Sequence, residues 1–243
     1  MEKPFFSIIV VSYNAAAYIR KTVESVLSQN FTDYEIVVKD AASTDGTLAE
    51  IPTDPRIRVY SEKDGGIYDG MNAGVGYAVG QYIQFLNCGD ILADREVLAD
   101  VYNALKAKKA DLIYGDIRKH GKRDKQLRRT TRRALAYSTI CHQAIFFNRN
   151  VFSSVGSYNT EYRLCADREH ILRMKNAGCS FRFLRRIVCE YLGDGASESA
   201  KNAHLMREEN KKIENEFFSP KERRRTKRKK ARRRFIKKLL RRG

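Results

Sequence analysis

Four apolar runs in the first ninety residues end on side chains able to bind a ligand. "FFSIIVVSY" holds Ser12 and stops at Asn14, and "YEIVVKD" stops at Asp40. "RIRVYSE" runs through Glu62 toward Asp64, and "YIQFLN" breaks at Asn87 into Cys88, Gly89 and Asp90. Asn, Ser, Gly and Asp are all turn formers, so turn chemistry accounts for any one of these endings. It does not require an acid at three of the four. Carboxylates and amides gathered along one edge would offer a row of hydrogen-bond acceptors to a ligand.

The elements that must hold these groups follow from spacing. Each run is short and rich in β-branched residues, which predicts a strand. Between the first two, Ile19, Val23, Val26 and Leu27 recur at helical spacing, with Asn14 where an N-cap belongs. The turn "AASTDGT" offers Ser43, Thr44 and Asp45 as side-chain acceptors and Gly46 as a permissive backbone position. "DGGIYDGMNAGVGYAVG" reads as a loop entering a Gly-rich helix, and a helix over 95–109 and a strand over 111–117 follow. Strands alternating with helices predict an α/β fold with a mostly parallel sheet covered on both faces. Such sheets bind ligands beyond the carboxyl ends of their strands, where the polar groups fall.

Composition narrows the class. The 243 residues are 42% hydrophobic, enough for a real core. No run of 18 apolar residues occurs, and "MEKPFFSIIVVSYN" passes from charge straight into a strand pattern, which predicts an unprocessed cytoplasmic chain. Five scattered cysteines without a CxxC pair support neither a disulfide framework nor a zinc site. The first strand–helix turn carries "SYNAAAY" rather than GxGxxG or a P-loop, so ordinary dinucleotide and P-loop sites are not supported. The net charge of +18 is mainly a tail property: residues 201–243 hold 19 Lys and Arg against 5 Asp and Glu, leaving 28 against 24 before them. The predicted organisation is therefore a domain over 1–200 and a basic helical extension over 201–243.

Taken together and in order, "VVSYN", "KDAASTDGT", "SEKDGGIYDGMNAG", "YIQFLNCGD", "CHQAIFF" and "YRLCADREHILR" resemble the inverting family-2 glycosyltransferases of the GT-A fold, in particular bacterial enzymes of cell-envelope polysaccharide synthesis. The resemblance covers about residues 5–197 and implies a nucleotide-sugar donor, commonly a UDP-sugar, with a divalent Mn or Mg ion on its diphosphate. It implies that Ser12, Asn14 and Asp40 lie beside base and ribose, with Asp45 in the supporting turn. Asp64 would help hold the nucleoside, and Asn72 would lie near the donor. The family often carries two or three acids at the metal-binding strand end. Here "NCGD" retains only Asp90 for the metal, with Asn87 able to add a neutral oxygen or orient the sugar and Gly89 allowing close backbone approach. Asp167 matches the family's base, which takes the acceptor hydroxyl's proton, although helix-dipole capping also places a carboxylate there. His142 and Gln143 match a pair near the acceptor or donor sugar, with a structural histidine as the alternative. Arg168 and Arg173 read as helix-face charges, with contacts to the donor phosphate or to the acceptor as the alternative, and "GDGAS" (193–197) as a backbone contact to phosphate or an exit turn.

Residues 201–218 show helical spacing, and after Pro220 the chain is basic with a few apolar residues, Phe235, Ile236, Leu239 and Leu240. Such a helix can lie on an anionic membrane surface at about 1 kcal/mol per nearby Lys or Arg. That predicts peripheral attachment at the inner face of the cytoplasmic membrane, where a saccharide or lipid-linked saccharide acceptor would be met. Two other classes compete: a nucleic-acid-binding protein using the tail, and an inactive transferase-like scaffold. The low charge of residues 1–200 and the scarcity of aromatics in the tail, too few for a stacking surface, argue against a nucleic-acid surface. The reduced acid count at Asn87–Asp90 is what favours the scaffold.

Overall fold

The computed structural model of the chain describes residues 3–119, 121–191 and 199–239. Its centre is strand β1 (Phe6–Ser12), buried along its whole length because β2 (Tyr34–Asp40) and β4 (Tyr82–Phe85) pair with its two edges, both in parallel. Strand β3 (Ile57–Ser61) adds to β2, also parallel. Pleating sends successive β1 side chains to opposite faces. Ile8 and Val10 enter one core cluster, and Ile9 and Val11 the other. Helices α1 (Ala16–Leu27) and α3 (Val97–Ala107) cover the first face with Ile19, Val23, Val26, Val97 and Val101. Helix α2 (Ile67–Tyr77) covers the second with Tyr68 and Met71.

The parallel expectation holds for these four strands, and the rest of the sheet is mixed. Strand β8 (Ile145–Asn148) lies between β4 and β6 (Leu112–Lys119), antiparallel to both, while β9 (Phe181–Tyr191) runs parallel to β6. The short β5 (Ile91–Leu92) returns to pair antiparallel with β9. The Asn87–Asp90 turn is thereby pinned between β4 on one side and the β5–β9 pair on the other. Gly89 sits in it at φ 98°, a left-handed backbone that favours glycine. The outermost piece is β7 (Lys122–Asp124), a hairpin partner of β6.

Asn14 does not cap α1. Its backbone is left-handed at φ 45°, and the helix's first amides are taken by the neighbouring turn instead: Ala15 N–H donates to Thr47 Oγ1 at 2.8 Å and Ala16 N–H to Asp45 Oδ2 at 3.0 Å. A cap supplied from 30 residues away ties α1 to the end of β2, which local sequence rules cannot foresee.

The short α4 (Arg132–Leu135) precedes β8, and beyond β8 come α5 (Asn150–Ser154), α6 (Ala166–Asn176), α7 (Ala203–Phe217) and α8 (Pro220–Leu239). Part of the segment after residue 200 packs into the core. Ile213, Phe217 and Phe218 are buried in the same cluster as Ile171, Leu172 and Met174 of α6.

Gly80 lies close against the start of β1. A Cβ there would lie 2.7 Å from the backbone of Phe6 and Ser7, and Gly80 N–H donates to Ser7 Oγ at 2.8 Å. Gly80→Ala is expected to cost about 1–3 kcal/mol, read as a lowered denaturant midpoint with an unchanged m-value.

Candidate active site

The end of β2 is organised around Asp40. Register places it beside Ser12 and Ser61, the last residues of β1 and β3. Asp40 Oδ1 accepts from Ser12 Oγ at 2.9 Å and from Ser43 Oγ, while Oδ2 accepts from Ser43 N–H and Ser61 Oγ at 2.8 Å each. Burial acts to raise the Asp40 pKa, but these hydrogen bonds outweigh it and hold the carboxyl below its usual range. Asp40 is fully buried, so it acts on any ligand by fixing the serines and the turn around it. Asn14 closes that turn from the other side, its N–H donating to Ser43 Oγ at 2.8 Å and its Oδ1 accepting from Thr44 N–H at 3.0 Å.

Asp64 is held by a buried ammonium. Lys39 Nζ donates to the Asp40 carbonyl at 2.9 Å, the Glu62 carbonyl at 2.6 Å and Asp64 Oδ2 at 3.1 Å, which locks the ends of β2 and β3 together. Asp64 Oδ1 also accepts from Gly66 N–H at 3.1 Å at the entrance to α2. The Asn72 amide is engaged within the protein. Its Nδ2 donates to the Tyr158 carbonyl and its Oδ1 accepts from Tyr158 N–H, both at 2.9 Å, so the amide clasps the 158 loop to α2 and is spent on structure.

The second group gathers at a cavity of about 440 Å³. Asn87, His142 and Asp167 line it, each from a different element. Asn87 Nδ2 lies 3.0 Å from His142 Nε2, and His142 Nδ1 lies 3.5 Å from Asp167 Oδ2. With the amide as donor, Nε2 accepts and the ring's proton sits on Nδ1, facing the carboxylate. Asp167 Oδ1 accepts from Arg168 N–H at 2.7 Å and from the Tyr68 hydroxyl at 3.3 Å. Burial, reinforced by Asp167, pushes the Tyr68 phenol well above its usual pKa, so it stays protonated and donates. Asp167 keeps 16% of its side chain exposed, open to the cavity. It lies in the first turn of α6, where the helix dipole stabilises a carboxylate.

The two groups meet at the Asn87–Asp90 turn. The Cys88 thiol, pushed up to about 12 chiefly by burial, also feels both Asp40 and Asp90. Cys141, likewise raised by burial, feels Asp167 and Asp90. Asp90 is buried and Oδ2 accepts from Gln143 Nε2 at 3.0 Å, beside His142. Among the described residues no cluster of three His, Cys, Asp or Glu side chains could hold a metal. Asn87 Oδ1, however, is a buried oxygen without a hydrogen-bond partner on the same turn as Asp90. One carboxylate and one orphaned amide oxygen fit a hard cation that completes its shell with phosphate oxygens and water.

One contributor had no signal in the sequence. Glu209 of α7, buried, accepts from the backbone N–H of Arg163 at 2.7 Å and of Leu164 and Cys165 at 2.9 Å each, fixing the chain just before Asp167. Arg168, expected as a helix-face charge, is buried to 8% exposure. Arg173 spends its guanidinium on Glu169 and on the Val155 and Ser157 carbonyls. The segment "GDGAS" lies outside the described residues.

Comparison with known proteins bears on this geometry. The model of "Glycosyl transferase family 2" matches residues 7–187. A PGL/p-HBAD biosynthesis glycosyltransferase of Mycobacterium bovis (strain BCG / Pasteur 1173P2) is 35% identical over 208 residues, covering 79% of this chain and 78% of the relative. Chondroitin synthase of Pasteurella multocida (strain Pm70) is 28% identical over 212 residues, 82% of this chain but 22% of its own length. Among solved structures, S. aureus TarS 1-349 in complex with UDP-GlcNAc superposes with a TM-score of 0.65 at 18% identity, over 82% of this chain and 61% of that one. The mannosyltransferase PcManGT from Pyrobaculum calidifontis, in complex with GDP-Man and Mn2+, gives 0.65 at 20% identity, over 82% and 59%. The chain thus spans about 60% of these solved chains, and at such identities the likeness is one of fold.

Proposed function

Because the chain belongs to glycosyl transferase family 2 and has the GT-A fold, we propose that this glycosyltransferase moves a sugar from a nucleoside-diphosphate donor, a UDP-sugar, to a hydroxyl of a saccharide or lipid-linked saccharide with inversion at the anomeric carbon. The observation that carries the reading is the chain Asn87–His142–Asp167, which joins the turn beside the Asp40 cradle to a carboxylate lining the cavity.

In this reading Ser12, Asn14, Asp40, Asp45 and Asp64 build the nucleoside cradle, with Asp40 and Asp45 acting through the turn they hold. Asp167 takes the proton from the acceptor hydroxyl as its oxygen bonds to the anomeric carbon and the carbon–oxygen bond to the diphosphate breaks, its electron pair leaving with the diphosphate. The Nδ1–H of His142 and the Tyr68 hydroxyl hold the carboxylate toward the cavity. Asp90 and Asn87 would hold a divalent Mn or Mg ion, which when bound offsets the charge of the leaving diphosphate. No helix among the described residues is long and apolar enough to cross a membrane. In α8, Lys and Arg dominate against the single acid Glu222, and this helix is the surface proposed to meet anionic lipid in envelope polysaccharide synthesis.

Thermal shift with UDP at a hundredfold excess over its Kd, with and without Mn²⁺, tests the cradle and the metal together. Binding at that excess adds about 2.7 kcal/mol, expected as a rise of about 5–10 °C in a chain of this size. Chelation with EDTA is expected to remove most of that rise and all transfer. No stabilisation by UDP or GDP, with no turnover of their sugars, would sink the reading in favour of a scaffold.

A further inference from the structure

A second cavity, about 770 Å³, opens between α7, α8 and the 137–139 loop. Arg168, Arg207, Lys211, Arg223, Arg224 and Lys227 line it, against the single carboxylate of Glu214. Its wall shares Ser138, Thr139, Met206 and Asn210 with the cavity that holds Asp167, so the two are adjacent. We infer that this basic cavity is an acceptor subsite that binds a phosphate or diphosphate group carried by the sugar-accepting molecule.

The inference rests on the transferase reading and goes beyond it by naming the charge of the acceptor. Adjacent residues divide the work: Asp167 faces the cavity proposed for the reaction, and Arg168 lines the next one. Arg168 is the built element of the subsite. Its Nη1 bonds Asn210 Oδ1 and its Nη2 lies 3.7 Å from Glu214, but its buried Nε–H has no partner. Burial pushes its pKa down, as expected for a guanidinium whose surroundings offer too little negative charge. Among the described residues no carboxylate pairs with Arg207, Lys211, Arg223, Arg224 or Lys227. A planar guanidinium with rim cations is the arrangement that recognises phosphate oxygens. An acceptor whose hydroxyl reaches Asp167 would extend along the shared wall and leave its anionic group among these cations.

The test uses the full chain with UDP and Mn²⁺ present to fill the donor site, and titrates inorganic pyrophosphate by calorimetry. R168Q and the double variant R224Q/K227Q are each expected to weaken pyrophosphate binding by at least about tenfold, as loss of charge-assisted bonds demands. The affinity for UDP should change less than about twofold. Pyrophosphate affinity within twofold of the parent in both variants overturns the subsite and leaves the transferase reading standing. Failure of the parent to bind UDP defeats the reading beneath it.

A second arm separates an acceptor headgroup from general membrane attraction. Phosphatidylcholine vesicles doped with a polyprenyl diphosphate should bind the parent at least about tenfold more tightly than vesicles of equal charge made with phosphatidylglycerol, and R168Q should abolish the difference. Equal binding to both vesicles overturns the subsite.

Discussion

Asp167→Asn is expected to reduce sugar transfer by about 100- to 10,000-fold, the usual contribution of a positioned general base. The substitution keeps an oxygen to accept from Arg168 N–H and Tyr68, and the fold around α6 does not depend on the charge. UDP affinity should therefore stay within about twofold, because the cradle at Ser12, Asn14 and Asp40 is built from other strands. Such a loss corresponds to about 3–5.5 kcal/mol of transition-state stabilisation. His142→Phe is expected to lose less, since it removes a group that orients the carboxylate and leaves the carboxylate itself. Steady-state kinetics with the best donor, alongside calorimetry with UDP, checks both. Transfer by Asp167→Asn within threefold of the parent would remove Asp167 from the role of base and turn attention to Asp124 and His142, which line the same cavity.

The parts of this site that were legible in the sequence are those fixed by where a strand stops. Ser12, Asp40 and Asp90 each follow an apolar run, and parallel pairing of neighbouring strands necessarily sets their ends side by side. Strand direction is not written in an apolar run. "AIFF" reads the same for either orientation, and β8 enters antiparallel to both β4 and β6. Side chains whose partners are distant were the least legible. Asn14 fits an N-cap by local rules, yet Thr47 and Asp45 cap the helix. Asn72 lies in the right segment for a donor contact, yet its partner is the backbone 86 residues on. Arg168 has the spacing of an exposed helical charge and becomes buried because α7 folds over it, and only the tertiary structure contains that fact.

Glu209→Ala should both destabilise the protein and slow transfer, although its side chain does not line the cavity of Asp167. One carboxylate takes the N–H groups of Arg163, Leu164 and Cys165 in the turn that delivers Asp167. Removing it leaves three donors without their acceptor, each costing about 1–3 kcal/mol if water cannot reach it. These costs share one acceptor and will not add fully, so the expected total is about 3–5 kcal/mol. For a chain of this size that is a fall of roughly 6–20 °C in Tm. Below the new transition, a loosened turn lets the Asp167 carboxylate drift from His142 and Tyr68, so kcat should fall by about tenfold or more. The UDP affinity should remain that of the parent, because α7 does not touch the nucleoside cradle. Glu209→Gln keeps one accepting oxygen but turns an amide donor toward backbone donors, so it should fall between the parent and Glu209→Ala in both Tm and kcat. A merely structural glutamate would lower Tm and leave kcat at 20 °C unchanged. That outcome, measured on the folded fraction, would show that the approach to α6 is positioned by something other than α7.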